Sequence, residues 1–164
     1  MAKLSIEMLG SEVLRAKAEE VPGPDPALDA LIRDMFETMY DAGGIGLAAP
    51  QVGISKRLIV VDVNEPEHRP FALLNPRVVE TGDETEKMEE GCLSIPGVSG
   101  VVERPSRVVV EGTDPDGKPV RIEAAEMLGR CLLHEIDHLD GVLFIDRLSP
   151  LKRNMVLRRY RKQR

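Results

Sequence analysis

His134-Glu135-Ile136-Asp137-His138 has the form H-E-x-x-H, inside a stretch that reads as helix from about Ala125 to Asp140 and stops at Gly141. Two histidines four residues apart share one helix face and can grip a single cation. Glu135, beside them, is placed to act as general base on a water that the cation acidifies. The chain holds only three histidines, so a pair at this spacing carries weight. Leu132, Leu133, Ile136 and Leu139 surround the pair with apolar groups, which argues against a solvated face.

A catalytic centre of this kind needs a third protein ligand and an open position. Downstream suppliers fail one by one. Gly141 fits a metzincin-like continuation, but Phe144 stands where the next ligand would fall, and no Glu follows Glu135. Asp140 is two residues past His138 and points elsewhere on the helix. Upstream, His68, Cys92 and Cys131 have suitable chemistry. Cys131 shares the histidine face but lies ~10.5 Å along the axis from His138, so it reads as a core or pocket residue. His68 sits in the polar segment Asn64–Pro70 and reads as an exposed loop histidine. Cys92 stands in Glu89-Glu90-Gly91-Cys92-Leu93-Ser94-Ile95-Pro96, where Gly91 allows close backbone approach. The expected ligand set is Cys92, His134 and His138 with a water. One thiolate and two imidazoles suit Zn²⁺ or Fe²⁺ without choosing between them.

Gly43-Gly44-Ile45-Gly46-Leu47-Ala48-Ala49-Pro50-Gln51-Val52-Gly53 is the third unusual stretch. It lacks the Lys-Ser/Thr of a P-loop and the G-x-G-x-x-G spacing, so it is a poor phosphate cradle. Gly46, Ala48 and Ala49 would let a peptide approach closely and pair as an added strand. Gln51 offers an amide donor to a developing oxyanion. A packed turn with an ordinary polar Gln explains the segment equally well.

The elements that must carry these residues follow from pattern. Ser11 precedes a short early helix over Glu12–Arg15. Asp25 is an N-cap with Pro26 at the first helical position, and Leu28, Leu31, Ile32, Met35 and Met39 form one apolar stripe that Gly43-Gly44 ends. Arg57–Val63 and Phe71–Glu80 read as strands, the second interrupted by Asn75-Pro76. Arg107–Gly112 and Pro119–Ile122 flank a hairpin turn at Asp114-Pro115-Asp116-Gly117. Ser149-Pro150 caps a final helix. Short strands without regular βαβ alternation predict an α+β fold with largely antiparallel sheet.

The 164 residues suit one domain, and neither an apolar span nor a leader is apparent, so a cytoplasmic protein is expected. Two cysteines do not make a disulfide scaffold. A net charge of −6 and 3% aromatic residues argue against a DNA binder or a base-stacking platform. The charge is uneven, however. Lys152, Arg153, Arg158, Arg159, Arg161, Lys162 and Arg164 leave 15 basic against 28 acidic residues, a formal −13, in residues 1–150. Weak docking of the tail on ribosomal RNA is one reading, and a solvated cationic helix is the other.

Taken together, Gly44–Gln51, Glu90–Ser94 and His134–His138 resemble the three signature motifs of the peptide deformylases, in order and at similar separations. The likeness spans essentially the whole chain, Leu74-Asn75-Pro76 and Gly141–Phe144 included. It implies one catalytic domain over 1–164, with antiparallel sheets packed around a central metal-binding helix and a basic C-terminal helix over 151–164. It implies removal of the N-formyl group from the N-terminal methionine of new polypeptides. Cys92, His134 and His138 would hold one divalent ion, Fe²⁺ in the cell and Zn²⁺ or Ni²⁺ in some preparations. Glu135 would move the proton, while Gln51 and the Leu93 backbone N–H would hold the oxyanion. Ile45, Met88, Met127, Arg130 through its stem, Cys131 and His134 would line the methionine pocket, with Gly44, Gly46, Glu90 and Gly91 along the peptide. Many members carry a basic residue after the Cys motif, but here the stretch reads Gly97-Val98-Ser99-Gly100. Another H-E-x-x-H metallopeptidase, which would not need Cys92, is the alternative. A closed structural zinc site would leave Glu135 and Gln51 without a task.

Overall fold

The computed structural model describes residues 3–163, so Met1, Ala2 and Arg164, the last of them a tail cation, lie outside the described residues. The strands are β1 (Gly46–Ala48), β2 (Leu58–Val61), β3 (Phe71–Thr81), β4 (Thr85–Cys92), β5 (Ile95–Pro105), β6 (Arg107–Thr113) and β7 (Pro119–Ala125). The helices are α1 (Pro26–Asp41), α2 (Glu126–Leu139) and α3 (Pro150–Lys162), with 3₁₀ turns at Glu12–Arg15, Ala49–Val52 and Phe144–Arg147. None is long and apolar enough to cross a membrane.

All four residues of β2 are buried, and strand alternation explains it. Ile59 and Val61 join one apolar cluster with Val108, Val110 and the α2 residues Leu128, Leu132, Ile136 and Leu139. Leu58 and Val60 join another with Leu28, Ile32, Met35 and Met39 of α1. The five-stranded antiparallel sheet, in the order β1-β2-β3-β6-β7, is therefore covered by α2 on one face and α1 on the other. Burial on both faces is why β2 reads as an unbroken apolar run. The Asp25 carboxylate accepts from Ala27 N at 2.9 Å, capping α1 as its sequence predicts.

The interruption expected at Asn75-Pro76 is present as a bulge within one strand. Asn75 takes φ +50 and the ladder slips register between Leu74 and Arg77, so β3 continues through a bulge. The Asn75 side chain binds Val21, accepting from its N–H at 2.8 Å and donating to its carbonyl at 2.9 Å. β4 and β5, for which the sequence pattern gives no strand signal, pair as a separate two-stranded antiparallel sheet. Their hairpin turn falls at Leu93-Ser94, so the Cys motif sits at the tip of a ribbon.

Candidate metal centre and active site

The helix α2 and the hairpin meet at the motif residues. Cys92 Sγ and one ring nitrogen each of His134 and His138 lie within 4.8 Å of one another. Cys92 Sγ is 3.3 Å from His138 Nε2. One soft sulfur and two imidazole nitrogens converging at this range fit a divalent transition ion. Phe144, at the position where a metzincin-like ligand was sought, instead stacks on His134 with ring centroids 6.5 Å apart. His68 is exposed and takes no part.

A buried ionic network holds the ribbon against the helix. The Glu90 carboxylate accepts from Arg104 Nε and Nη2 at 2.5 and 2.9 Å, and from Arg130 Nη1 at 2.6 Å. Its Oε1 also lies 3.0 Å from His134 Nδ1. That contact assigns the proton to Nδ1 and leaves Nε2 free for a cation. Arg104 Nη1 reaches Asp137 on α2 at 3.0 Å, and Arg147 closes on the same carboxylate at 2.8 and 3.1 Å. Burial alone would raise the Glu90 carboxyl, but hydrogen bonds from His134 and Arg104 outweigh it and hold it near 2. Burial also opposes charge on His134, yet hydrogen bonds to Cys92 and Glu90 raise it well above the ordinary imidazole range. Protons held among these side chains are what an ion binding there would displace.

Glu135 is 4% exposed, and its Oε1 has no hydrogen-bond partner among the described residues. Burial pushes its carboxyl up to about 7, with His134 pulling the other way. An unpaired buried carboxyl poised near neutrality is suited to exchanging protons with something that enters the cleft. Gly46 makes room for it. A Cβ there would stand 2.7 Å from both Glu135 Oε2 and Cys131 Sγ. The close approach that Gly46 permits is thus made by α2, at least on the side of its missing Cβ. Gln51 is 1% exposed. Its Oε1 accepts from Ala48 N at 3.0 Å, which fixes the amide orientation and turns Nε2 toward Ser94 Oγ at 3.2 Å and Cys92 Sγ at 3.6 Å.

A cleft of about 680 Å³ opens onto this centre. Gly44, Ile45, Gly46, Gln51, Glu90, Gly91, Cys92, Leu93, Met127, Arg130, Cys131, His134 and Glu135 line it. Met88, expected in the methionine pocket, is half-buried on β4 but absent from that lining. Glu90 borders the cleft with its carboxylate already engaged by Arg104, Arg130 and His134, so it orients the His134 ring. Arg130 presents its stem while its guanidinium also donates to the Val102 and Glu86 carbonyls at 3.0 and 2.8 Å. The Cys131 thiol is buried and 3.5 Å from the Ile45 carbonyl. Ile6, Met8, Ala42, Gly43, Glu89, Pro96, Gly97 and Val98 complete the walls. Ile6 and Met8 carry no sequence pattern that marks them. Asp137 could have been suspected from its place inside the histidine motif, whereas Arg104 could not.

A cysteine carried by a hairpin to two histidines of an H-E-x-x-H helix, with a buried carboxyl beside them, defines the class of metal-dependent hydrolases. The family model for polypeptide deformylase matches residues 3–154. A peptide deformylase of Hydrogenovibrio crunogenus is 52% identical over 163 residues, 99% of this chain and 96% of the relative. The crystal structure of a peptide deformylase from Legionella pneumophila superposes with a TM-score of 0.93 at 46% identity, covering 99% of this chain and 95% of that one. That of Synechococcus elongatus peptide deformylase, in complex with actinonin, gives 0.91 at 48% identity over 97% of this chain and 89% of that one. The chain belongs to the polypeptide deformylase family. It is a hydrolase that removes the N-formyl group from the N-terminal methionine of newly made polypeptides. The rival metallopeptidase reading gives way to this membership, and the fold is the α+β architecture that the resemblance implies.

Proposed function

We propose that deformylation runs on Cys92, His134 and His138 as metal ligands, Glu135 as proton carrier, and Gln51 with the Leu93 N–H as oxyanion donors. The convergence of the Cys92 sulfur with the two α2 histidines carries this reading. When bound, a divalent ion supplies Lewis acidity that lowers the pKa of water to about 7 and polarises the formyl carbonyl. Glu135 takes a proton from the attacking water as its oxygen bonds to the formyl carbon. The same carboxyl then gives a proton to the departing amine as the C–N bond breaks, and formate leaves. Gln51 Nε2, oriented by the bond from Ala48 N, and the Leu93 N–H face the oxyanion as charge develops. One such donor is worth ~3 kcal/mol. Ile45, Met127, the Arg130 stem and Cys131 receive the methionine side chain, and the peptide runs along Ile45-Gly46 and Gly91.

We take Fe²⁺ as the working ion, from the resemblance and from a donor set that also accepts Zn²⁺ or Ni²⁺. Elemental analysis of anaerobically purified protein tests it: iron near one per chain supports the assignment, and zinc alone overturns it. The place of action is the cytoplasm, beside emerging formylmethionyl chains.

The exposed cations Lys152, Arg158, Arg159, Arg161 and Lys162 support weak docking of α3 on ribosomal RNA. Replacing these five with Gln should lower co-sedimentation with ribosomes at low salt; unchanged sedimentation removes the idea. Deleting the helix would be an unsound test, because Val156 and Tyr160 are buried in the core.

A further inference from the structure

One wall of the cleft includes Pro96, Gly97 and Val98. Behind it stands α3. Val156 and Tyr160 of that helix are buried in one apolar cluster with Ile95 and Val102 of β5, and Cys92 and Val98 pack against the same cluster. At the end of α3, Gln163 Nε2 donates to the Pro96 carbonyl at 3.3 Å. Gly97 has φ +82, a backbone region that glycine enters freely and most residues do not. The space a Cβ would take there is filled by the Gln163 carboxamide, with Cδ and Nε2 both 2.9 Å from that point. Gln163 therefore both hydrogen-bonds the wall and occupies the room that Gly97 leaves. Its contacts are with the outer side of Pro96-Gly97, and it lies outside the lining of the cleft.

We propose that Gln163 is a positioning residue for substrate binding, acting through Pro96 and Gly97 to set the width of the peptide groove. Loss of the carboxamide frees the 96–98 wall without touching Glu135, Gln51 or the three ligand residues. Peptide affinity then falls while the chemical step is kept. The basic helix is in this way part of the construction of the cleft as well as a charged surface.

Steady-state kinetics of formate release from formyl-Met-Ala-Ser, with metal-loaded enzyme, test this. Gln163→Ala should raise KM roughly three- to tenfold, the range for one lost neutral hydrogen bond, with kcat within a factor of about two. Gln163→Met, which keeps the length but not the donor, should fall between wild type and Gln163→Ala. Gly97→Ala should raise KM in the wild-type background, and by a smaller factor in the Gln163→Ala background, where the added methyl no longer meets the carboxamide. An unchanged KM for Gln163→Ala, or additive effects in the double variant, overturns the proposal. The inference rests on the proposed reading of this centre: no formate from the loaded wild type would remove that reading, whereas normal wild-type turnover with an unchanged KM for Gln163→Ala would overturn this inference alone.

Discussion

Glu135 and Gly46 form a unit at the scale of single residues. The carboxyl can lie against β1 only because position 46 has no Cβ. Gly46→Ala should therefore displace Glu135, with an overpacking cost of about 1–3 kcal/mol and a rate loss of about 10²-fold, read from urea midpoints and kcat. A variant with wild-type kcat would contradict the packing argument. Gln51→Ala should lower kcat by about 10²–10³-fold with little change in bound metal. The convergence of Cys92, His134 and His138 was legible in the sequence because their types are scarce: three histidines and two cysteines leave few ligand sets. Arg104 has no sequence signal, because an ion pair between a strand and a helix has no spacing rule along the chain. Met88 was assigned to the pocket, but a strand's exact register decides which side chains reach a cleft, and β4 itself was not foreseen.

At the scale of elements, the centre is a junction between a helix and a ribbon, and Arg104 is its tie. Arg104 is 4% exposed and bridges Glu90 on β4 to Asp137 on α2. Arg104→Met leaves both carboxylates short of a buried partner and should cost about 3–5 kcal/mol in urea unfolding. It should also speed loss of metal on dialysis, since His134 is oriented through Glu90. Normal stability with normal metal retention would refute the tie. Helices α1, α2 and α3 were readable from caps, stripes and stop signals, and β2, β6 and β7 from β-rich runs. The β4–β5 hairpin was not, because Thr85-Glu86-Lys87-Met88-Glu89-Glu90 is charged and mostly exposed, while β5 carries two glycines and two prolines. A ribbon with little apolar burial leaves no alternating pattern to find. The bulge at Asn75 likewise depends on a tertiary partner, Val21, that local sequence does not reveal.

At the scale of the whole molecule, chain segments far apart in sequence are fastened around the site by charge. Asp146 accepts from Arg15 Nη1 at 2.5 Å and from Leu143 N at 2.9 Å, tying the 3₁₀ turn after α2 to the early chain. Burial would raise the Asp146 carboxyl, but the hydrogen bond from Arg15 and the Leu143 N–H outweigh it and lower it. A carboxyl lowered in the folded state stabilises above its unfolded pKa, and that stabilisation is lost as pH falls through the folded value. Wild type should thus exceed Asp146→Asn in stability near pH 6, and the gap should shrink as pH drops below about 4. A gap that does not change with pH would assign Asp146 no ionic role. The mechanism proposed for this site turns on Glu135. Measuring formate released from formyl-Met-Ala-Ser by Fe²⁺- or Ni²⁺-loaded wild type and Glu135→Ala, with metal content determined on the same samples, tests the account most directly. It predicts formate from wild type, and from Glu135→Ala retained metal with turnover lower by about 10³-fold. No formate from the loaded wild type, or near-normal turnover by Glu135→Ala, would contradict it.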